Sequence, residues 1–279
     1  MAEIVLEDVW KEYGDTIILE RINLTLPDNE FLVIVGPSGA GKSTLLRMLI
    51  SQEIPTRGRI LIDGRPIAPE PMQDRGVVFQ RYSVFPHMTV LKNVMAGPQW
   101  LASPVFGALF GAARRALQDR AVALLERVGL GHALDKYPAQ LSGGMQQRLA
   151  IAQALIMEPK VLLLDEPFGA LDPGTRKLMH VLVQELWEEN AMTIVMVTHD
   201  LPEAFFLGTR VVAVDRMRHD PQAPERYGAT ITRDFSVRPK IVRDSRKQEA
   251  MRAAGTLVTF PGTGSSARTD REASLMAAQ

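Results

Sequence analysis

Gly36-Pro-Ser-Gly-Ala-Gly-Lys-Ser43 spaces its glycines so that several backbone N–H groups can converge on one anion. Lys42 adds a point charge and Ser43 a hydroxyl that can ligate Mg²⁺. Gly36, Ser38, Gly39, Ala40, Gly41, Lys42, Ser43 and Thr44 are therefore candidate phosphate-binding positions. Val161-Leu-Leu-Leu-Asp165-Glu166 is an apolar run that ends in two carboxylates. Beside a phosphate site, Asp165 would hold Mg²⁺ and Glu166 would polarise an attacking water. Without such a site, both acids would read as caps of the next turn or as partners of a lysine. Leu141-Ser-Gly-Gly-Met-Gln-Gln-Arg148 places Ser142, Gly143 and Gly144 at a helix start, a second anion site on physical grounds. One chain thus carries two phosphate-binding helix starts and a single lysine loop. The mismatch is resolved if two copies pack head to tail, each closing the other's site.

These residues need elements that aim them. Phe31 to Val35 is a continuous apolar run, and Thr44 to Ile50 is amphipathic, so the glycine loop is predicted to join a strand to a helix whose dipole favours anions. Val161 to Leu164 and Met192 to Val197 read as strands buried on both faces, the mark of a parallel sheet. Ile4, Leu6, Ile18, Ile22, Leu24 and Leu26 follow period 2, which predicts antiparallel strands at the N-terminus. Leu117, Leu124, Leu125 and Val128 predict a helix closed by Gly129, and Ser142 caps another that runs to about Met157. Asp172 before Pro173 opens a third, with Leu178, Val181, Leu182 and Leu186 predicted as its apolar stripe. The expectation is an α/β core with a helical insertion. After Val214, Pro221, Pro224, Pro239, a basic cluster from Arg243 to Lys247 and a Gly/Ser stretch at 262–266 predict a loosely attached tail, disordered from about 262.

Composition narrows the function classes. Of 279 residues, 46% are hydrophobic and 23% charged, as in folded soluble proteins. Lys plus Arg and Asp plus Glu both number 32, so the overall basic excess of a typical nucleic-acid binder is missing. The chain has no cysteine, which excludes disulfides, thiolate metal sites and a cysteine nucleophile. Met1 to Val9 lacks the basic start and apolar core of a signal peptide. Trp100 to Ala113 falls short of the roughly 20 residues of a spanning helix.

Taken together, the set resembles the nucleotide-binding subunit of an ATP-binding-cassette (ABC) transporter over residues 1 to about 215. The matching positions are the glycine loop, Leu141 to Arg148, Val161 to Glu166, Ala170-Leu-Asp172, Gln80 in Val77-Val-Phe-Gln80 and His199 in Thr198-His-Asp200. The resemblance implies a P-loop NTPase cassette at 1–215, with a mostly parallel core sheet, an antiparallel N-terminal β subdomain, a helical subdomain at about 85–157 and a C-terminal extension at 216–279. It implies that ATP and Mg²⁺ are bound, that Gln80 touches the metal or water and reports on a membrane partner, and that His199 contacts the terminal phosphate. It places Asp172 at a dimer interface and Tyr13 against adenine. Singly, His199 reads as a satisfied strand-end histidine, Gln80 as an ordinary loop residue and Tyr13 as a half-buried strand-end ring. Met145 departs from the glutamine that many members carry, leaving Ser142 and Gly144 intact.

Asp74 to Gln80, Thr89 to Val94 and Phe168 to Arg176 are similar to bacterial importer ATPases of the nitrate, sulfonate and taurine group. That implies a homodimer at the cytoplasmic face of the membrane, attached to separate permease subunits and indirectly to a solute-binding protein, with no nucleic acid. The roughly hundred-residue regulatory domain of sugar-importer relatives is not seen. Trp100 to Ala113 reads either as a docking surface or as a subdomain core helix. The alternative task is that of a membrane-associated ABC ATPase of the cell-division type. A binding module without catalysis conflicts with Lys42, Gln80, Asp165, Glu166 and His199 all being in place.

Overall fold

The structure, a computed structural model, describes residues 3–80, 83–102, 109–169, 171–190, 192–223 and 225–237. One compact unit spans Met1–Ile241, and residues 242–279 lie outside the described residues. The basic cluster and the stretch expected to be disordered from 262 lie outside the described residues.

The period-2 segment folds as anticipated. Strands β1 (Ile4–Tyr13) and β2 (Thr16–Leu26) form an antiparallel hairpin turned at Gly14, with Ile4, Leu6, Ile22, Leu24 and Leu26 buried. β1 also pairs with β4 (Arg57–Ile62), which turns at Asp63 and Gly64 into β5 (Arg65–Pro66). Both turn residues have positive φ, the conformation a tight hairpin asks for.

A second, six-stranded sheet has the order β10-β9-β3-β8-β7-β6. Its parallel members are β3 (Phe31–Val35), β6 (Arg75–Val78), β7 (Val161–Asp165), β8 (Thr193–Thr198) and β9 (Arg210–Asp215). The continuous apolar runs reflect burial on both faces. Leu32, Ile34, Leu163, Val195 and Val197 pack with helix α1 (Lys42–Leu49) and the N-terminal sheet. Phe31, Val33, Leu162, Leu164, Ile194 and Met196 face the other way. They pack against helices α4 (Gly143–Leu155), α5 (Pro173–Asn190) and α6 (Leu201–Leu207). A third core joins α4 to α2 (Val90–Ala102) and α3 (Gly111–Arg127) through Val94, Leu117, Ala121, Leu125 and Leu149. Gly129 closes α3 with φ +73°, so that Leu130 N–H reaches the Leu125 carbonyl (2.7 Å) and Gly129 N–H that of Glu126 (2.9 Å). No helix among the described residues is long and apolar enough to cross a membrane.

Three expectations need correcting. The stripe predicted on α5 is rotated: Met179, Val183, Leu186 and Trp187 are buried, whereas Leu178 and Val181 are 72% and 48% exposed. Periodicity fixes a repeat but not its phase when a second, polar face is also engaged, and here Arg176, His180 and Gln184 meet α6. Trp100 to Ala113 is not one core helix. α2 ends at Ala102, residues 103–108 lie outside the described set, and Trp100, Leu101 and Phe110 are exposed, with Trp100 edge-on to Phe85. Nor is the chain loosely attached directly after Val214. β10 (Thr230–Ser236) pairs antiparallel with β9, and Ala229 bridges Leu19 of β2. Gly228 is pressed so close that a Cβ would come within 2.9 Å of the Leu19 backbone. Proline and charge spacing masked the Thr-Ile-Thr alternation that builds this strand.

Candidate functional site

Four functional segments meet at the C-terminal ends of adjacent parallel strands, where an open α/β sheet places its ligand crevice. The glycine loop leaves β3 and enters α1. Gly36 admits the Val214 carbonyl so closely that an added Cβ would sit 2.1 Å from its oxygen. Gly41, at φ +79°, leaves no room for a Cβ beside Ile18 and Leu19. Lys42 is buried, and its Nζ donates to the carbonyls of Gly36 (2.8 Å) and Pro37 (2.9 Å). Burial pulls its pKa below the ordinary lysine value, opposed by the charges of Glu166 and Asp165.

Ser43 Oγ, one residue on, donates to Asp165 Oδ1 at 3.1 Å across the gap between α1 and β7. Burial raises the Asp165 pKa, while the Ser43 hydrogen bond works against it and the Glu166 charge adds to it. A raised carboxyl pKa means that ionisation is easier in the unfolded chain. The stability Asp165 contributes is therefore full below its unfolded pKa and is lost as pH rises through the folded value. Asp165→Asn is accordingly expected to raise the unfolding temperature of the nucleotide-free protein by a few degrees at neutral pH. The gain should vanish below the ordinary aspartate range, as measured by thermal melts across a pH series.

Glu166 is the next residue and sits at φ +44°, a costly conformation for a non-glycine side chain that is typical of functional sites. Its N–H is tied to the Val197 carbonyl at 2.9 Å. Its carboxylate accepts from Gln80 Nε2 (3.3 Å), just past β6, and lies 3.5 Å from His199 Nδ1, just past β8. Lys42, Ser43, Asp165, Glu166, Gln80 and His199 are thus gathered at one place by the strand order β3-β8-β7-β6.

The remaining candidates sit apart from that cluster. Tyr13 ends β1 with its ring half exposed, Lys11 Nζ 4.9 Å from the ring centroid, and its hydroxyl on the Glu53 carboxylate. Ser142 and Gly143 are exposed at the start of α4, where Ser142 Oγ accepts from Met145 N–H (3.3 Å). Gly144 packs on α5 so tightly that a Cβ would lie 2.5 Å from Thr175 Cγ2. Asp172 is exposed and caps α5 by accepting from the N–H groups of Gly174 and Thr175, both at 3.1 Å. A hydrogen bond from the Thr175 side chain, followed by those backbone bonds, holds its pKa down. Among the described residues no hydrogen bond joins Ser142 to Gly144 with the glycine loop, so the two helix starts remain separate within one chain.

A family profile described as ABC transporter matches residues 19–169. The nitrate import ATP-binding protein NrtD of Synechocystis is 45% identical over 198 residues, covering 71% of each chain. The bicarbonate transport ATP-binding protein CmpD of the same organism is 40% identical over 86% of this chain and 81% of its own. The chain belongs to the ABC transporter family. Among solved structures, the dimeric post-hydrolysis cassette MJ0796 bound to ADP and Pi superposes with a TM-score of 0.66 at 32% identity, covering 85% of this chain and 99% of that one. CbiO1 of Clostridium perfringens, part of the transporter complex cbiONQ, gives 0.69 at 29% identity, with 98% of both chains covered. The fold is an ABC cassette, the protein binds ATP, and its activity is that of an ATPase.

Sequence reasoning passed over several residues of this ABC ATPase. Glu53 carries the Tyr13 hydroxyl and also meets Lys11 (3.3 Å) and Arg47 (3.4 Å). Asn93, fully buried, bonds Phe85 N–H (2.7 Å) and Gln153 Nε2 (3.0 Å), tying the segment after Gln80 to α4. Arg176, His180 and Glu203 join α5 to α6. For the last set a signal existed, since Arg176, His180 and Gln184 repeat every four residues, but a repeat does not say what it faces.

Proposed function

We propose that this chain powers solute import through a separate membrane permease, working as a head-to-tail homodimer on the cytoplasmic face of the membrane. The observation that carries the reading is the convergence of Glu166, Gln80 and His199 beside the Lys42 loop, with a second anion-binding helix start left facing solvent. The nitrate import protein and the bicarbonate transport protein named above support a transport task, the first of them an import task. Within this reading the helical subdomain spans about 85–157.

The mechanism follows from the residues. The glycine loop and the dipole of α1 hold the phosphates of ATP, and Lys42 exchanges its carbonyl contacts for phosphate oxygens. The hydroxyl of Ser43, the carboxylate of Asp165 and the amide oxygen of Gln80 are hard oxygen donors, the set that suits Mg²⁺ together with water and phosphate. The 3.1 Å contact of Ser43 with Asp165, a carboxylate whose burial disfavours its charge, fits a position made for a cation. When bound, Mg²⁺ neutralises charge on the phosphate oxygens. Glu166 orients the attacking water and takes its proton, while His199 and Gln80 flank it and position water and terminal phosphate. Ser142, Gly143 and Gly144 of the second copy complete the cage around the terminal phosphate, with Asp172 at the shared interface. Tyr13 stacks on the adenine.

The permease surface lies next to Gln80. A cavity of about 280 Å³ is lined by Phe79, Phe85, Trp100, Gln153, Ala154 and Met157, and the rim ring of Trp100 is exposed. The test is purification of tagged full-length protein from detergent-solubilised membranes with ATP present, followed by mass spectrometry. A co-purifying multi-helix permease is the expected result. Recovery with cell-division proteins instead would transfer the same ATPase chemistry to the alternative task.

A further inference from the structure

Helices α5 and α6 face one another through polar side chains. Arg176, His180 and Gln184 stand four residues apart and so share one face of α5. Each meets a partner across the gap. Arg176 Nη1 lies 3.7 Å from the Asp200 carboxylate, His180 Nε2 lies 2.8 Å from Glu203 Oε1, and Gln184 Nε2 donates to the Phe206 carbonyl at 3.1 Å. His180 and Glu203 are only 9% and 6% exposed.

This ladder grips both arms of the site. On the Glu166 side, the His180 ring stands edge-on to Phe168 with centroids 5.0 Å apart, and Arg176 Nη2 donates to the Leu171 carbonyl at 3.1 Å. On the His199 side, Asp200 accepts from Glu203 N–H (3.0 Å), and its own N–H donates to Thr198 Oγ1 (3.1 Å). His199 therefore sits between two tethered neighbours while its own ring is largely exposed, so apart from the 3.5 Å contact with Glu166 its backbone fixes its place. A buried hydrogen-bonded polar pair adds little stability compared with an apolar pair of similar size, and its presence here fits a role in placement.

We propose that His180, with Arg176, is a positioning residue for hydrolysis: through Phe168 on one side and Glu203 on the other, it sets the distance between Glu166 and His199. Neither residue touches substrate. The inference rests on the roles assigned above to Glu166 and His199.

The test is steady-state ATP hydrolysis by the full-length chain. Because His180→Leu would strand the Glu203 carboxylate, the informative variant is the double change His180→Leu/Glu203→Leu, which replaces both partners by apolar groups and is expected to keep the melting temperature. Its kcat should fall about tenfold while KM for ATP stays within about twofold, the signature of misplaced chemistry with binding intact. His180→Gln presents an amide nitrogen where Nε2 stands and should restore most of the rate. Wild-type kcat in the double variant, a loss that appears in KM instead, or failure of His180→Gln to restore the rate would each overturn the proposal. Glu166→Gln is measured alongside. If it hydrolyses at the wild-type rate, the underlying reading falls and the positioning role falls with it; if it is inactive while the double variant is normal, only the positioning role is lost.

Discussion

Glu166→Gln is expected to lower kcat for ATP hydrolysis by a factor of about 10² to 10⁴, the usual contribution of a positioned general base, while ATP still binds. The substitution keeps shape and hydrogen-bonding capacity, so Gln80 and His199 retain a partner at 3.3 and 3.5 Å. What disappears is the basic oxygen proposed to take the proton from water. Lys42, Ser43 and Asp165 are untouched, and two copies should accumulate as an ATP-bound dimer. Phosphate release measured beside size-exclusion chromatography with ATP checks both halves. Hydrolysis near the wild-type rate would remove Glu166 from the role of base, and inactivity without a dimer would separate the chemistry from the assembly.

The proposed sharing of sites between two copies leads to a second large effect. Lys42→Ala removes the charge that the loop brings to the phosphates, and Ser142→Asp sets a carboxylate where the second copy's phosphate approaches. Asp caps a helix as well as Ser does, so α4 is expected to stay formed. Each variant alone should hydrolyse ATP at least about a hundredfold more slowly than wild type, by loss of electrostatic stabilisation at the transferred group. In a head-to-tail mixed dimer both defects fall in one site and the other is whole. Random mixing of equal amounts then leaves about a quarter of all sites intact, so activity should recover to about that fraction of wild type. A mixture no more active than its components would overturn the shared sites.

What the sequence by itself determined is the chemistry whose ligands lie close along the chain. The Gly36 to Ser43 loop, the Asp165-Glu166 strand end, the Ser142 cap and the Asp172-Pro173 helix start each combine residue type with a local conformation, and local conformation follows from neighbours within a few positions. The double-faced apolar runs likewise specified parallel strands, because burial on both faces leaves few polar positions. The tertiary structure alone decided what depends on phase and on distant partners. The contact of Ser43 with Asp165 spans 122 positions, and that of Gln80 with Glu166 spans 86; only the strand order closes them. The rotation of the α5 stripe, the strand at Thr230–Ser236 and the pairing of His180 with Glu203 were hidden for the same reason. A side chain's partner is set by which elements pack together, and the energy that settles this is burial summed over the whole core, which no local window contains.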